Sequence, residues 1–215
     1  MSLSAIARRV PGATRLFVGL HGWGANAADL AALADYLVLE DYHLVFPDAP
    51  FPHPYSPEGR MWYDLPAGYG FQSPPTEMQL THLPESRNLL KTWLPQAAAE
   101  FDVPLERTVL AGFSQGGAMA LDVGLQLPLA AVLVLSGYLH GPIQPRHPAS
   151  PVLMVHGRQD PVVPLAAARA ARATLLAHQV PVTDYELDMG HEIQPIVLSY
   201  ITQFCRGFSE PGEAG

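Results

Sequence analysis

Gly112-Phe113-Ser114-Gln115-Gly116 sets a serine between glycines two positions before and two positions after it. The apolar run Val109-Leu110-Ala111 leads into this stretch, and a small-residue helical pattern follows it. A strand, a sharp turn and a helix in that order form an elbow that pushes a serine Oγ out as a nucleophile. The turn demands a tight backbone, and side chains at the two flanking positions would strike the strand or the helix start. Glycine has no β-carbon and removes the collision. The serine then lies at a helix N-terminus, where free N–H groups and the helix dipole favour negative charge. The pentapeptide alone also arises by chance, so the reading rests on its strand and helix flanks.

A serine hydroxyl attacks a carbonyl only with a base in reach, and that base needs a carboxylate to orient it and offset its positive charge. Where the serine sits on a strand–turn–helix elbow of this kind, its partners follow in the order serine, acid, histidine, each after a strand. Asp160 follows the apolar run Val152–His156 directly, in the turn Gly157-Arg158-Gln159-Asp160-Pro161. Aspartate also suits a plain turn or a helix cap. Asp160 is the favoured acid, with Asp188, Glu186 and Asp184 as alternatives. Among the later histidines, His140 and His147 fall in a Pro-rich connection, His156 ends a strand and His178 ends a helix. His191 follows the last strand in a Gly-His turn and comes after the acid, so it is the expected base.

A tetrahedral intermediate needs two hydrogen-bond donors for its oxyanion. The Gln115 backbone N–H is one. The run Arg15–Leu20 passes straight into His21-Gly22-Trp23-Gly24, a glycine-rich turn at the end of a buried strand. The Trp23 backbone N–H is the expected second donor, with the His21 side chain holding the turn. Alone, that turn would read as a tight strand-to-helix connection. No His-Glu-x-x-His or other ligand spacing asks for a metal, and the chemistry requires no cofactor.

These residues must be held by alternating strands and helices. Strands are expected at Arg15–Leu20, Tyr42–Phe46, Thr108–Phe113, Ala131–Leu135, Val152–His156 and, as an edge, Thr183–Leu187. Helices are expected at Asp29–Leu39, Glu77–Phe101, Gln115–Leu127, Leu165–His178 and Ile193–Phe208, with Pro84 and Pro95 starting, kinking or breaking turns. The alternation predicts an α/β fold with a mainly parallel sheet covered on both faces. Phe51–Pro75, rich in proline, glycine and aromatics, reads as a lid-like or substrate-binding loop, and the tail from Ser209 as frayed.

A chain of 215 residues, 48% hydrophobic and 15% charged, suits one domain around a large core. The net charge of −8 and the lack of a basic cluster disfavour nucleic acid or a polybasic membrane patch. Cys205 is the only cysteine, so no internal disulfide forms. The N-terminus lacks the apolar core of a signal peptide, and the longest apolar run, Leu129–Leu135, is too short to span a bilayer. A cytoplasmic protein, monomer or homodimer, without an integral membrane segment is expected.

Taken together, Leu20-His21-Gly22-Trp23-Gly24, Arg60-Met61-Trp62-Tyr63-Asp64, Gly112-Phe113-Ser114-Gln115-Gly116-Gly117, Leu135-Ser136-Gly137, His156–Pro164 and Gly190-His191-Glu192 resemble the phospholipase/carboxylesterase family of α/β-hydrolases. That resemblance implies an α/β-hydrolase fold, Ser114, Asp160 and His191 as a triad, and backbone Trp23 and Gln115 as an oxyanion hole. Leu20, Trp23, Trp62, Tyr63 and Val163, all within these motifs, are the expected pocket walls. Trp23 stands where the family usually has leucine, which implies a narrowed acyl pocket. The implied substrate is a small-molecule ester of short to medium acyl chain. Lysophospholipase, acyl-protein or acyl-CoA thioesterase and acyltransferase activities keep the same triad. A non-catalytic ligand-binding module would require a broken triad or oxyanion turn.

Overall fold

The computed structural model describes residues 3–65, 68, 69, 71, 77–146 and 148–208. In chain order the elements are β1 (Ala5–Arg8), β2 (Arg15–Leu20), α1 (Ala27–Ala31), β3 (Tyr42–Pro47), β4 (Phe51–Pro52), β5 (Arg60–Met61) and α2 (Glu77–Glu100). There follow β6 (Thr108–Phe113), α3 (Gln115–Gly124), β7 (Ala131–Leu135), β8 (Val152–Gly157), α4 (Leu165–Ala177), β9 (Val182–Leu187) and α5 (Pro195–Arg206). Seven strands form one sheet in the order β1-β3-β2-β6-β7-β8-β9, and β4 and β5 form a separate hairpin. All neighbours in the large sheet run parallel except β1, which is antiparallel to β3.

Strand residues alternate between two cores, as a period of two requires. Val18, Leu110, Val132 and Met154 pack with Leu90 and Leu94 of α2 and Met119 and Leu121 of α3. Phe17, Val109, Leu133 and Val155 pack with Val197 and Ile201 of α5 on the other side. Helices on both faces explain why β2, β3, β7 and β8 are buried at every position. Because β2, β6, β8 and β9 are parallel, the connections that follow them gather at one edge of the sheet.

Several details depart from the sequence reading. The expected helix Asp29–Leu39 is instead a short α1 beginning earlier, at the Asn26–Asp29 capping box, followed by a 3-10 turn at Ala34–Tyr36. Pro84 and Pro95 lie inside a continuous α2. Both are exposed, so the carbonyls they leave unpaired are free to turn to water. β1, an exposed four-residue edge strand, has no counterpart among the expected elements. The 51–75 segment is tied down over its first part, where β4 pairs with β5 and Arg60 exchanges backbone bonds with the turn after β2 (Gly24 N–H to Arg60 O, 2.9 Å; Arg60 N–H to Ala25 O, 2.8 Å). Much of its remainder, and the tail from Ser209, lie outside the described residues.

Candidate active site

Ser114 follows β6 and caps α3 with φ 54° and ψ −117°. The two glycines make this possible. A β-carbon on Gly112 would stand 2.1 Å from the Gly116 carbonyl oxygen, and one on Gly116 would stand 2.2 Å from the Leu20 carbonyl oxygen. Both obstacles are backbone and cannot swing aside.

Asp160, on the turn after β8, is fixed at both oxygens. Oδ1 accepts the Val162 and Val163 N–H groups, each at 2.8 Å, and Oδ2 lies 2.7 Å from His191 Nδ1. A carboxylate at that ring nitrogen makes Nδ1 the protonated one, which leaves the Nε2 lone pair facing the Ser114 hydroxyl at 3.0 Å. The Asp160 side chain is fully buried, whereas that of His191 is 15% exposed and reaches solvent. The alternative acids are engaged elsewhere: Asp188 with Arg158, Glu186 with Arg169 and Asp184 with Arg172.

The Trp23 and Gln115 backbone N–H groups find no partner among the described residues. The turn that carries Trp23 is anchored by His21. Its Nε2 accepts the Ala49 N–H at 3.0 Å, which places the ring proton on Nδ1, where it is donated to the Gly22 carbonyl at 2.8 Å. Burial lowers the His21 pKa from its ordinary value, against the pull of the Gly22 bond, and this keeps the ring neutral. His156 is likewise buried with a lowered pKa and donates from Nε2 to the Val163 carbonyl.

Of the expected pocket walls, only Trp23 presents part of its surface, with its indole edge-on to His53 at 4.1 Å between centroids. Leu20, Trp62 and Tyr63 are 0% exposed and belong to the core, and Val163 is buried against Ala118 and Tyr138. The polar ends of the aromatic pair explain the burial. Trp62 Nε1 donates to the His21 carbonyl at 3.0 Å, and the Tyr63 hydroxyl pairs with that of Tyr138 at 2.7 Å. Gln115 clamps the same segment from below, accepting the Trp62 N–H and donating to the Tyr63 carbonyl.

Beneath this lies a cluster that motif reading missed. His140 bridges the Tyr63 hydroxyl (3.1 Å) and Asp122 (2.9 Å), and Asp122 also receives Arg87. Burial alone would raise the Asp122 pKa; the His140 and Arg87 hydrogen bonds outweigh it and hold it below the ordinary value. No group of metal-ligating side chains that could hold an ion occurs among the described residues. No helix among them is long and apolar enough to cross a membrane.

A mostly parallel sheet with a Ser–His–Asp hydrogen-bonded chain over its carboxyl edge defines an α/β-hydrolase. The family model described as Phospholipase/Carboxylesterase matches residues 3–208, and the chain belongs to that family, whose named activities are carboxylic ester hydrolyses. It is 28% identical to acyl-protein thioesterase 1 of Eremothecium gossypii, over 94% of this chain and 91% of that one. Among solved structures it is similar to esterase PE8 (TM-score 0.86, 30% identity, 96% of this chain and 99% of that one). It also resembles SOBER1 of Arabidopsis thaliana (TM-score 0.79, 26% identity, 90% and 98% covered).

Proposed function

We propose that the protein hydrolyses carboxylic esters of short to medium acyl chain through an acyl-enzyme on Ser114. The continuous path from Asp160 Oδ2 through His191 to Ser114 Oγ, with steps of 2.7 and 3.0 Å, carries this reading. Ser114 Oγ bonds to the carbonyl carbon as its proton passes to His191 Nε2. The oxyanion is held by the Trp23 and Gln115 N–H groups. The carbon–oxygen bond to the leaving group breaks, and His191 returns the proton to it. Water then adds by the same route and frees the acid. Asp160 stays ionised, holding the ring in its tautomer and offsetting the imidazolium charge.

The short acyl preference is supported by the close packing on the α3 side of Ser114. Ala118, one turn along α3, joins Tyr138 and Val163 in a small apolar cluster, and Phe71 packs onto Tyr138 at 4.6 Å. A second reading, thioester hydrolysis, is favoured by the similarity to acyl-protein thioesterase 1 along nearly the whole chain. It uses the same steps with a sulfur leaving group.

Ser114→Ala is expected to abolish labelling by a fluorophosphonate probe and to lower kcat on p-nitrophenyl acetate at least ~10³-fold. Labelling that persists in the variant sinks the assignment. p-Nitrophenyl esters of graded acyl length, beside matched thioesters and lysophospholipid, rank the substrates. A maximum at long acyl chains would overturn the short-chain preference.

A further inference from the structure

A cleft of about 290 Å³ opens against His191, walled by Leu30, Leu33, Phe113 and Ile193. Through Leu33 and Ile193, which line both, it continues into a depression of about 680 Å³ between the 3-10 turn and α5, where Tyr36, Val38 and Leu198 form the walls. Their combined size falls in the usual range for a small-molecule site. Tyr36 is 70% and Val38 52% exposed, so apolar side chains are held out towards solvent at the distal end instead of being drawn into the core.

Position relative to the reacting groups assigns this groove. The attacked carbon carries an oxyanion, an acyl chain and a leaving group. The oxyanion goes to Trp23 and Gln115. The leaving group must reach His191, which supplies its proton. The groove borders His191 and touches the turn after β2 at His21, Gly22 and Ala25, but Trp23 and Gln115 do not line it, and it extends from His191 away from them towards α5. It therefore lies on the leaving-group side. Asp29 and Glu192, both exposed, stand on the wall of the cleft next to His191, and Arg206 is the one cation in the lining, at the distal depression. An anionic leaving group would meet like charge where it departs.

We infer that the groove between α1, the 3-10 turn and α5 binds the alcohol or thiol half of the substrate, and that preferred substrates carry an uncharged, apolar leaving group of several carbons. This rests on the Ser114 hydrolysis proposed above and narrows its substrate class. Phosphate-bearing leaving groups, such as that of an acyl-CoA, are disfavoured. Leu33 and Ile193, shared by both parts of the groove, set the preference.

The test holds the acyl group constant and varies the alcohol: methyl, butyl, hexyl and octyl acetate, with kcat/KM measured for each. The wild-type protein is expected to favour octyl over methyl acetate at least tenfold, and S-octyl thioacetate over acetyl-CoA by a similar factor. Leu33→Glu is expected to cut the octyl-to-methyl ratio at least fivefold without shifting the ratio of methyl butanoate to methyl acetate. Tyr36→Glu, at an exposed position, should cut it in the same direction and serves if Leu33→Glu does not fold. A flat alcohol series in the wild type overturns the inference, as does a ratio that neither variant moves or a preference for acetyl-CoA. Light scattering provides a further arm. A wild-type dimer made monomeric by Leu33→Glu, with the octyl-to-methyl ratio unchanged, would give the groove to a second copy and overturn the substrate assignment. Failure of all esters to turn over, together with no fluorophosphonate labelling, would instead sink the Ser114 reading itself. Turnover with a flat alcohol series removes only the groove assignment.

Discussion

Ser114 holds a positive φ that costs an ordinary residue on the order of 1–3 kcal/mol, and the strain aims its Oγ at His191. Asp160 has the complementary task of keeping a neutral imidazole in one tautomer. Asp160→Asn keeps the shape of the side chain and an oxygen for the Val162 and Val163 N–H groups. It then presents an NH₂ to Nδ1, which drives the ring proton to Nε2, where it blocks acceptance from serine. The expected result is a fall in kcat of ~10³ to 10⁴-fold, measured on p-nitrophenyl acetate, with a much smaller change in KM. These residues were readable in the sequence because each follows an apolar run that becomes a parallel strand, so linear order maps onto one edge of the sheet. His140 was not readable. Its partners Tyr63 and Asp122 are 77 and 18 positions away, and only folding brings them together. The burial of Trp62 and Tyr63 escaped for a similar reason: residue type does not say which neighbour will satisfy an indole N–H or a phenol.

At the scale of elements, the turn after β2 that carries the proposed oxyanion donor Trp23 is held from three directions: by His21, by the β4–β5 hairpin and by Trp62. Gln115 ties the last of these to α3, so the side chain of one proposed oxyanion donor braces the turn that carries the other. Gln115→Ala leaves the backbone donor in place but orphans the buried Trp62 N–H and Tyr63 carbonyl. At 1–3 kcal/mol for each lost partner, the expected loss is about 3 kcal/mol in urea denaturation. If the brace positions Trp23, kcat falls roughly tenfold more than KM rises, and a variant that unfolds more easily at full kcat would refute that coupling. The main strands were legible as apolar runs buried on both faces. β1 was not, because a four-residue strand exposed at every position has no apolar pattern to read. The segment after Asn26 was over-read, since leucines at 30, 33 and 37 fit a helical stripe that one α-turn and one 3-10 turn also satisfy.

Across the whole molecule, acid acts on two sets of groups: the buried His21 and His156, and the partly buried Asp122. His21 and His156 have pKa values lowered by burial, so below the ordinary value of 6.5 the unfolded chain takes up protons that the folded chain resists. Their contribution is present above that value and declines as the pH falls through it. Asp122 acts lower on the scale. Its folded pKa lies below the ordinary 3.8, so its stabilisation is complete at neutral pH and is lost only as the pH falls beneath that value. Acid denaturation should thus proceed in two limbs, the upper from the histidines and the lower from Asp122. Asp122→Asn removes the charge that joins α2, through Arg87, to His140 and the Tyr63–Tyr138 pair. At pH 7 it should destabilise the protein by about 2 kcal/mol, the scale of a hydrogen bond to a charged group. Urea midpoints measured from pH 7 to pH 2.5 should show that deficit persisting through the upper limb and closing below 3.8, where the wild-type carboxyl also becomes neutral. A deficit unchanged at pH 2.5 would mean that Asp122 acts through shape rather than charge.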